Sequence, residues 1–159
     1  MSLQKNVQLR VRILVKAFPQ PSQKHEETVC VAAIAEETRE FLRLFPIRYR
    51  RLPSENRFNR FDQVELTATR ASSDPRPESY RVDESSIRVT AKGTALSDQS
   101  KVELWMPHVA PSLTALQAEQ KLTGRSLGIV RPDGESLRFR AQRLEEIDPD
   151  EQEVARQVV

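Results

Sequence analysis

Val7, Leu9, Val11, Ile13 and Val15 occupy every second position near the start of this chain and alternate with Gln8, Arg10, Arg12 and Lys16. A period of two is that of a strand with one apolar and one polar face, so the first element must belong to a sheet with one buried side. Partners are needed to cover that side, and the rest of the sequence supplies them as short runs. Pro19 and Pro21 stop the first strand, and a polar loop covers 22–27. Residues 28–34 (TVCVAAI) are continuously apolar, as in a strand covered on both faces. After a charged turn at 36–40 comes a third strand at 41–49 (FLRLFPIRY), which Pro46 confines to an edge or a bulge.

A basic loop follows at 50–60. Residues 63–69 alternate again, with Val64, Leu66 and Ala68 inward, and 72–78 (SSDPRPE) reads as an extended loop. Short strands are expected at 86–91, 101–105, 127–130 and 137–144. One helix is expected at 112–123, with Ser112 as N-cap, Leu113, Leu116 and Leu122 on one face, and Gly124 ending it. Eight short strands with one helix and no βαβ alternation predict a mainly β domain: a small antiparallel barrel or a strongly bent sheet carrying a helix at about 112–123. The domain is expected to span 1–144, with an acidic tail at 145–159 that is flexible or held by a partner.

Composition narrows the function classes. No apolar stretch is long enough to span a membrane, and residues 1–8 lack the apolar middle of a signal peptide, which predicts a cytoplasmic protein. One cysteine, Cys30, and two histidines, His25 and His108, give neither an internal disulfide nor a zinc set. No cofactor is expected, since four glycines leave no phosphate-cradling loop. The net charge of +2 hides a gradient: residues 1–96 carry 17 Lys or Arg against 12 Asp or Glu, and residues 97–159 carry 8 against 11. Seven arginines fall within 39–60, and six acids with no base fall within 145–153. Such asymmetry suits an anionic partner at one end and a solvated or protein-facing tail at the other.

The catalytic patterns present lack their context. Gly124-Arg125-Ser126-Leu127-Gly128 matches G-x-S-x-G, but that nucleophile elbow needs a strand before the serine, a helix after it and a later histidine. Here the expected helix comes first and both histidines lie upstream. A metal-dependent nuclease needs converging carboxylates and a lysine. The E-x-K at Glu119 to Lys121 falls within the expected helix, while Asp62, Glu65 and Asp74 are carboxylates that only the fold could gather. Cys30 sits in an apolar run that disfavours its thiolate. The chain is therefore expected not to be an enzyme.

One constellation points to binding. Five of the nine aromatic residues (Phe41, Phe45, Tyr49, Phe58 and Phe61) interleave with arginines between positions 41 and 61. Arginines neutralise phosphates, and aromatic faces stack on unpaired bases. Arg48, Arg50, Arg51, Arg57 and Arg60 are the candidate contacts, with Phe41, Phe45 and Phe61 read mainly as core. Arg10 and Arg12 on the first strand, with Arg138 and Arg140 on the last, make a second candidate stripe if those strands pair.

The segments ETVCVAAI, RLFPIRYR, RFNRFD, DPRPESY and SLGIVRP together resemble a family of small, uncharacterised bacterial proteins over roughly residues 10–132. Relatives of that kind carry a glycine near Ala33, a tryptophan near Phe41 and a further Cys/His-containing part, none of which this sequence has. The resemblance implies a shortened member and carries no known activity. The expectation from the residues themselves is a non-catalytic nucleic-acid-binding β domain, an accessory subunit of a larger bacterial assembly, with nucleic acid or other protein subunits as partners. The alternative is a protein–protein adaptor or scaffold subunit that makes no nucleic-acid contact.

Overall fold

The computed structural model describes residues 6–17, 20–22 and 26–134. Its main strands are β1 (Val7–Lys16), β3 (Glu26–Ala35), β4 (Phe41–Ile47), β5 (Gln63–Arg70) and β6 (Ser79–Ala91), and a three-residue β2 (Gln20–Ser22) pairs with β3. β1 pairs with β5 on one side and β3 on the other; β3 pairs with β4, β4 with β6, and β6 with β5. The sheet therefore closes on itself as a five-stranded barrel. All neighbours are antiparallel except β4 and β6, which run parallel through Arg43 opposite Ser79 and Leu44 opposite Tyr80. The expected antiparallel barrel is thus a mixed one. Counting only the five barrel strands, the order around the wall is 1-2-3-5-4-1.

The alternating sequence builds the wall. In β5, Val64, Leu66 and Ala68 point inward, and outward Glu65 lies opposite Arg10 of β1, with which it forms a 2.8 Å ion pair. Cross-strand pairs of opposite charge favour this register. Inside, Val11, Ile13, Val29, Val31, Leu42, Leu44, Ile47 and Ile87 join them in one core. Two irregularities alter the simple period. Leu14 is an extra residue in β1, between the pairs Ile13–Ala33 and Val15–Ala32. Ile13 and Leu14 are both buried, and Val15, expected inside, turns outward at 56% exposure. In β4 the register slips between Leu44 and Ile47, where Phe45 and Pro46 fall, the bulge that proline at this position favours.

The basic segment after β4 closes one end of the barrel. It forms two 3-10 turns, Tyr49–Arg51 and Ser54–Asn56. Leu52 and Phe58 enter the core, and Phe58 is only 1% exposed. Tyr49 meets the Phe58 ring edge-on at 5.2 Å and donates its hydroxyl to the Phe58 carbonyl at 2.7 Å. Buried Asp62 fixes the exit, accepting from Asn59 N (2.9 Å) and Gly93 N (2.7 Å). The core aromatic is therefore Phe58. Phe45, read as core from the sequence, is 37% exposed.

Beyond the barrel lie α1 (Asp98–Trp105), β7 (Val109–Ala110), α2 (Leu113–Thr123) and β8 (Ile129–Val130), with β7 and β8 paired in parallel. The strand expected at 101–105 is the helix α1. Ser97 caps it by accepting from Ser100 N at 3.1 Å, which commits the backbone to a helical turn. The helix expected at 112–123 is present as α2, with Ser112 accepting from Ala115 N and Gly124 closing it at φ 74°. Two helices thus stand where one was expected. The strand expected at 137–144 and the acidic tail at 145–159 lie outside the described residues. No helix among the described residues is long and apolar enough to cross a membrane.

Candidate functional site

Because Leu42 and Leu44 of β4 face the core, Arg43 and Phe45 project from the barrel's outer face. Parallel pairing brings the start of β6, with Tyr80 and Arg81, alongside them. The loop between β5 and β6, expected to be extended, instead turns at 72–73 and again at 77–78, closed by bonds from Asp74 N to the Ala71 carbonyl and from Ser79 N to the Arg76 carbonyl, and so folds over the same place. Together they line a groove of about 490 Å³ holding four arginines (Arg43, Arg70, Arg76, Arg81), two aromatic rings (Phe45, Tyr80) and one acid, Asp74. The Arg43 guanidinium lies 5.8 Å from the Phe45 ring and that of Arg70 lies 5.7 Å from the Tyr80 ring.

Asp74 organises the cations. It accepts from Arg76 N (3.1 Å), Arg76 Nε and Nη2 (both 2.8 Å) and Arg43 Nη1 (3.2 Å). The Arg76 guanidinium chiefly holds the Asp74 carboxyl far below the usual carboxylate range, against its burial. Arg81 has no ion-pair partner among the described residues and stands exposed at the groove edge. Cys30 is half-buried behind Arg43. Burial pushes its thiol up, against the pull of Arg43 and Arg76, which disfavours the thiolate form.

Glu78 fastens the C-terminal segment beside this loop. Its Oε1 accepts from Ser126 N (2.7 Å) and Ser126 Oγ (2.8 Å), while buried Oε2 has no partner among the described residues. Burial works to raise the Glu78 carboxyl, but the Ser126 hydrogen bonds outweigh it and the group is held low. The G-x-S-x-G match therefore has a structural account. Gly124 ends α2, Ser126 ties to Glu78, and Gly128 leaves room for Leu116, whose Cδ1 would lie 2.2 Å from a Cβ there.

The arginines expected from the sequence go to several places. Arg48 donates its backbone N–H and its guanidinium to Glu84. Arg57 donates Nε to the Leu52 carbonyl (3.0 Å) and Nη2 to the Arg50 carbonyl (2.7 Å), bracing the loop that plugs the barrel. Arg60 lies 4.8 Å from the Phe61 ring. Arg50 and Arg51 are exposed on the first 3-10 turn. Arg10 pairs with Glu65, and Arg12 pairs with Glu36 at 2.6 Å. Arg138, Arg140 and His25 lie outside the described residues. His108 tilts over Phe41 at 4.7 Å, and burial, then Arg39, push its imidazole pKa down. Asp62, Glu65 and Asp74 each engage a different partner, and no metal-binding group of three His, Cys, Asp or Glu forms among the described residues. The groove residues Arg43, Arg70, Arg76, Tyr80 and Arg81 are not among the contacts expected from the sequence, which marks 72–78 (SSDPRPE) only as a loop.

Fold and site define a small mixed β-barrel with an arginine- and aromatic-lined groove on its wall. The chain belongs to the family described as a domain of unknown function, DUF8758, whose sequence model matches residues 7–107. That span takes in the whole barrel and α1, and agrees with the resemblance to small uncharacterised proteins. No curated protein and no solved structure matches the chain.

Proposed function

We propose that this chain is a non-catalytic nucleic-acid-binding barrel, an accessory subunit of a larger bacterial assembly. The observation that carries the reading is the groove of Arg43, Phe45, Arg70, Arg76, Tyr80 and Arg81. Its position supports the reading as well as its chemistry. A five-stranded barrel ordered 1-2-3-5-4-1 is the arrangement of oligonucleotide- and oligosaccharide-binding barrels. Their ligands lie on the face of the second and third strands and against the loops after the first and fourth. Here the groove takes in β4, the third barrel strand, and 71–78, the loop after the fourth, and reaches across to the start of β6, the fifth. Four cations against one acid favour a polyanion over a neutral glycan, and the exposed Phe45 ring offers a base a stacking surface. Arg50 and Arg51, exposed beyond the end of β4, would add phosphate contacts outside the groove.

The test is fluorescence anisotropy of a labelled oligonucleotide of about a dozen nucleotides, within the range one such barrel covers. Binding should weaken steeply with salt. Arg43→Gln with Arg81→Gln should lower affinity and flatten the log–log salt slope by about 0.7 per lost phosphate contact on a single strand. No binding at low salt, or binding indifferent to both substitutions, would sink the proposal.

A further inference from the structure

We infer that an apolar groove between the barrel and the C-terminal segment is the docking site of a protein partner's extended peptide, apolar at its centre and acidic at its flanks. The groove, about 540 Å³, is lined by Val15 and Ala32 of the barrel, Phe41 at its rim, and Trp105, Met106 and Val130 of the C-terminal segment. That volume lies in the range of ordinary ligand sites. Three of the most exposed large apolar side chains of the described residues meet here: Val15 at 56%, Met106 at 44% and Val130 at 36%. Val15 is there because the bulge at Leu14 re-aims it, and bulges commonly serve that purpose.

Two further observations identify the occupant. β8 is paired only with β7 among the described residues, so one edge of this two-stranded sheet keeps backbone donors and acceptors for an added strand. Among the described residues the charged ones lining the groove are Arg60 and Arg131, and no carboxylate of those residues lines it. Neither arginine has a carboxylate partner among the described residues: Arg60 rests on the Phe61 ring, and Arg131 makes no ion pair. Main-chain pairing, an apolar trough and cations at its walls together select an extended acidic–apolar segment over a basic one or a lipid chain.

Two labelled peptides, DDVIFDD and KKVIFKK, titrated against the full chain test this inference. The acidic peptide should bind at least about tenfold tighter. Val15→Asp and Arg131→Glu should each weaken it by a similar factor while leaving oligonucleotide affinity unchanged. Both variants change exposed side chains, and unaltered thermal melts would confirm intact folding. The inference is overturned if neither peptide binds, if both bind alike, or if the variants bind the acidic peptide normally. It is equally overturned if light scattering shows a dimer that Val15→Asp disperses, since a second copy would then cover the groove.

Discussion

Replacing Phe58 by alanine tests whether the 49–62 segment is the plug of the barrel. The ring is 1% exposed, packs among the core side chains and meets Tyr49 edge-on. Deleting a buried phenylalanine ring costs about 3–5 kcal/mol through lost transfer energy and the cavity left behind. Part of that sum is the aromatic pair, worth about 0.5–1.5 kcal/mol. Against a total stability of about 5–15 kcal/mol for a natural domain, the loss is severe but measurable. At about 2–4 °C per kcal/mol for a chain of this size, the melting temperature should fall by roughly 6–20 °C. Urea unfolding followed by far-ultraviolet circular dichroism gives the free energy directly, with an unchanged m-value showing that the same cooperative unit unfolds. Phe45→Ala is the control. Its ring is partly exposed, so it should cost about 1 kcal/mol or less while weakening oligonucleotide binding. A Phe58→Ala loss below about 1 kcal/mol would refute the assignment of this segment to the core.

Arg57→Gln removes two guanidinium bonds to carbonyls of its own loop and should lower stability by about 1–2 kcal/mol, whereas Arg81→Gln should stay within about 0.5 kcal/mol in the same urea assay. Asp74→Asn should destabilise the fold at neutral pH. Because the native carboxyl titrates far below its unfolded value, its contribution is full above about pH 4 and is lost as pH falls toward the folded value. Wild-type and variant unfolding curves should therefore converge only in strong acid. Gly93→Ala would set a Cβ 2.6 Å from the Phe61 carbonyl carbon and 2.7 Å from the Arg60 oxygen. The backbone must then shift, at a cost of about 1–3 kcal/mol visible as a lower melting temperature.

Strand β5 shows where periodicity suffices: Val64, Leu66 and Ala68 read inward from the sequence and are inward. Strand β1 reads correctly only as far as Ile13, because an inserted bulge residue leaves no mark on an apolar run such as Ile13-Leu14-Val15. Val102, Leu104 and the intervening Glu103 mimic a strand, and the Ser97 cap that makes the segment helical lies outside the five residues that suggested it. The first half of β6 went unread because Asp83, Glu84 and Ser85 interrupt its apolar spacing around a register irregularity with β5. The groove was hidden for a topological reason. Arg43 and Arg81 are neighbours through a parallel pairing between strands far apart in sequence, and single-strand patterns carry no information on which strands pair. The loop arginines stood out because they are close in sequence, yet Arg48 and Arg57 hold carboxylate and carbonyl partners of the barrel itself.

The parallel contact between β4 and β6 has a mechanical meaning. It rests on two residue pairs and a bond from Arg43 N to the Glu78 carbonyl, whereas the β1–β5 contact runs through six pairs. It is thus the seam of the barrel, where opening needs the fewest hydrogen bonds broken. The arginine groove sits astride that seam, with Arg43 on one lip and Arg81 on the other. Any polyanion bridging the two lips acts as a suture: it adds its binding energy to the closed form alone. Hydrogen exchange at the Arg43 amide, which donates across the seam to the Glu78 carbonyl, should then slow in proportion to occupancy, which makes the weakest stitch of the wall the most direct reporter of the ligand.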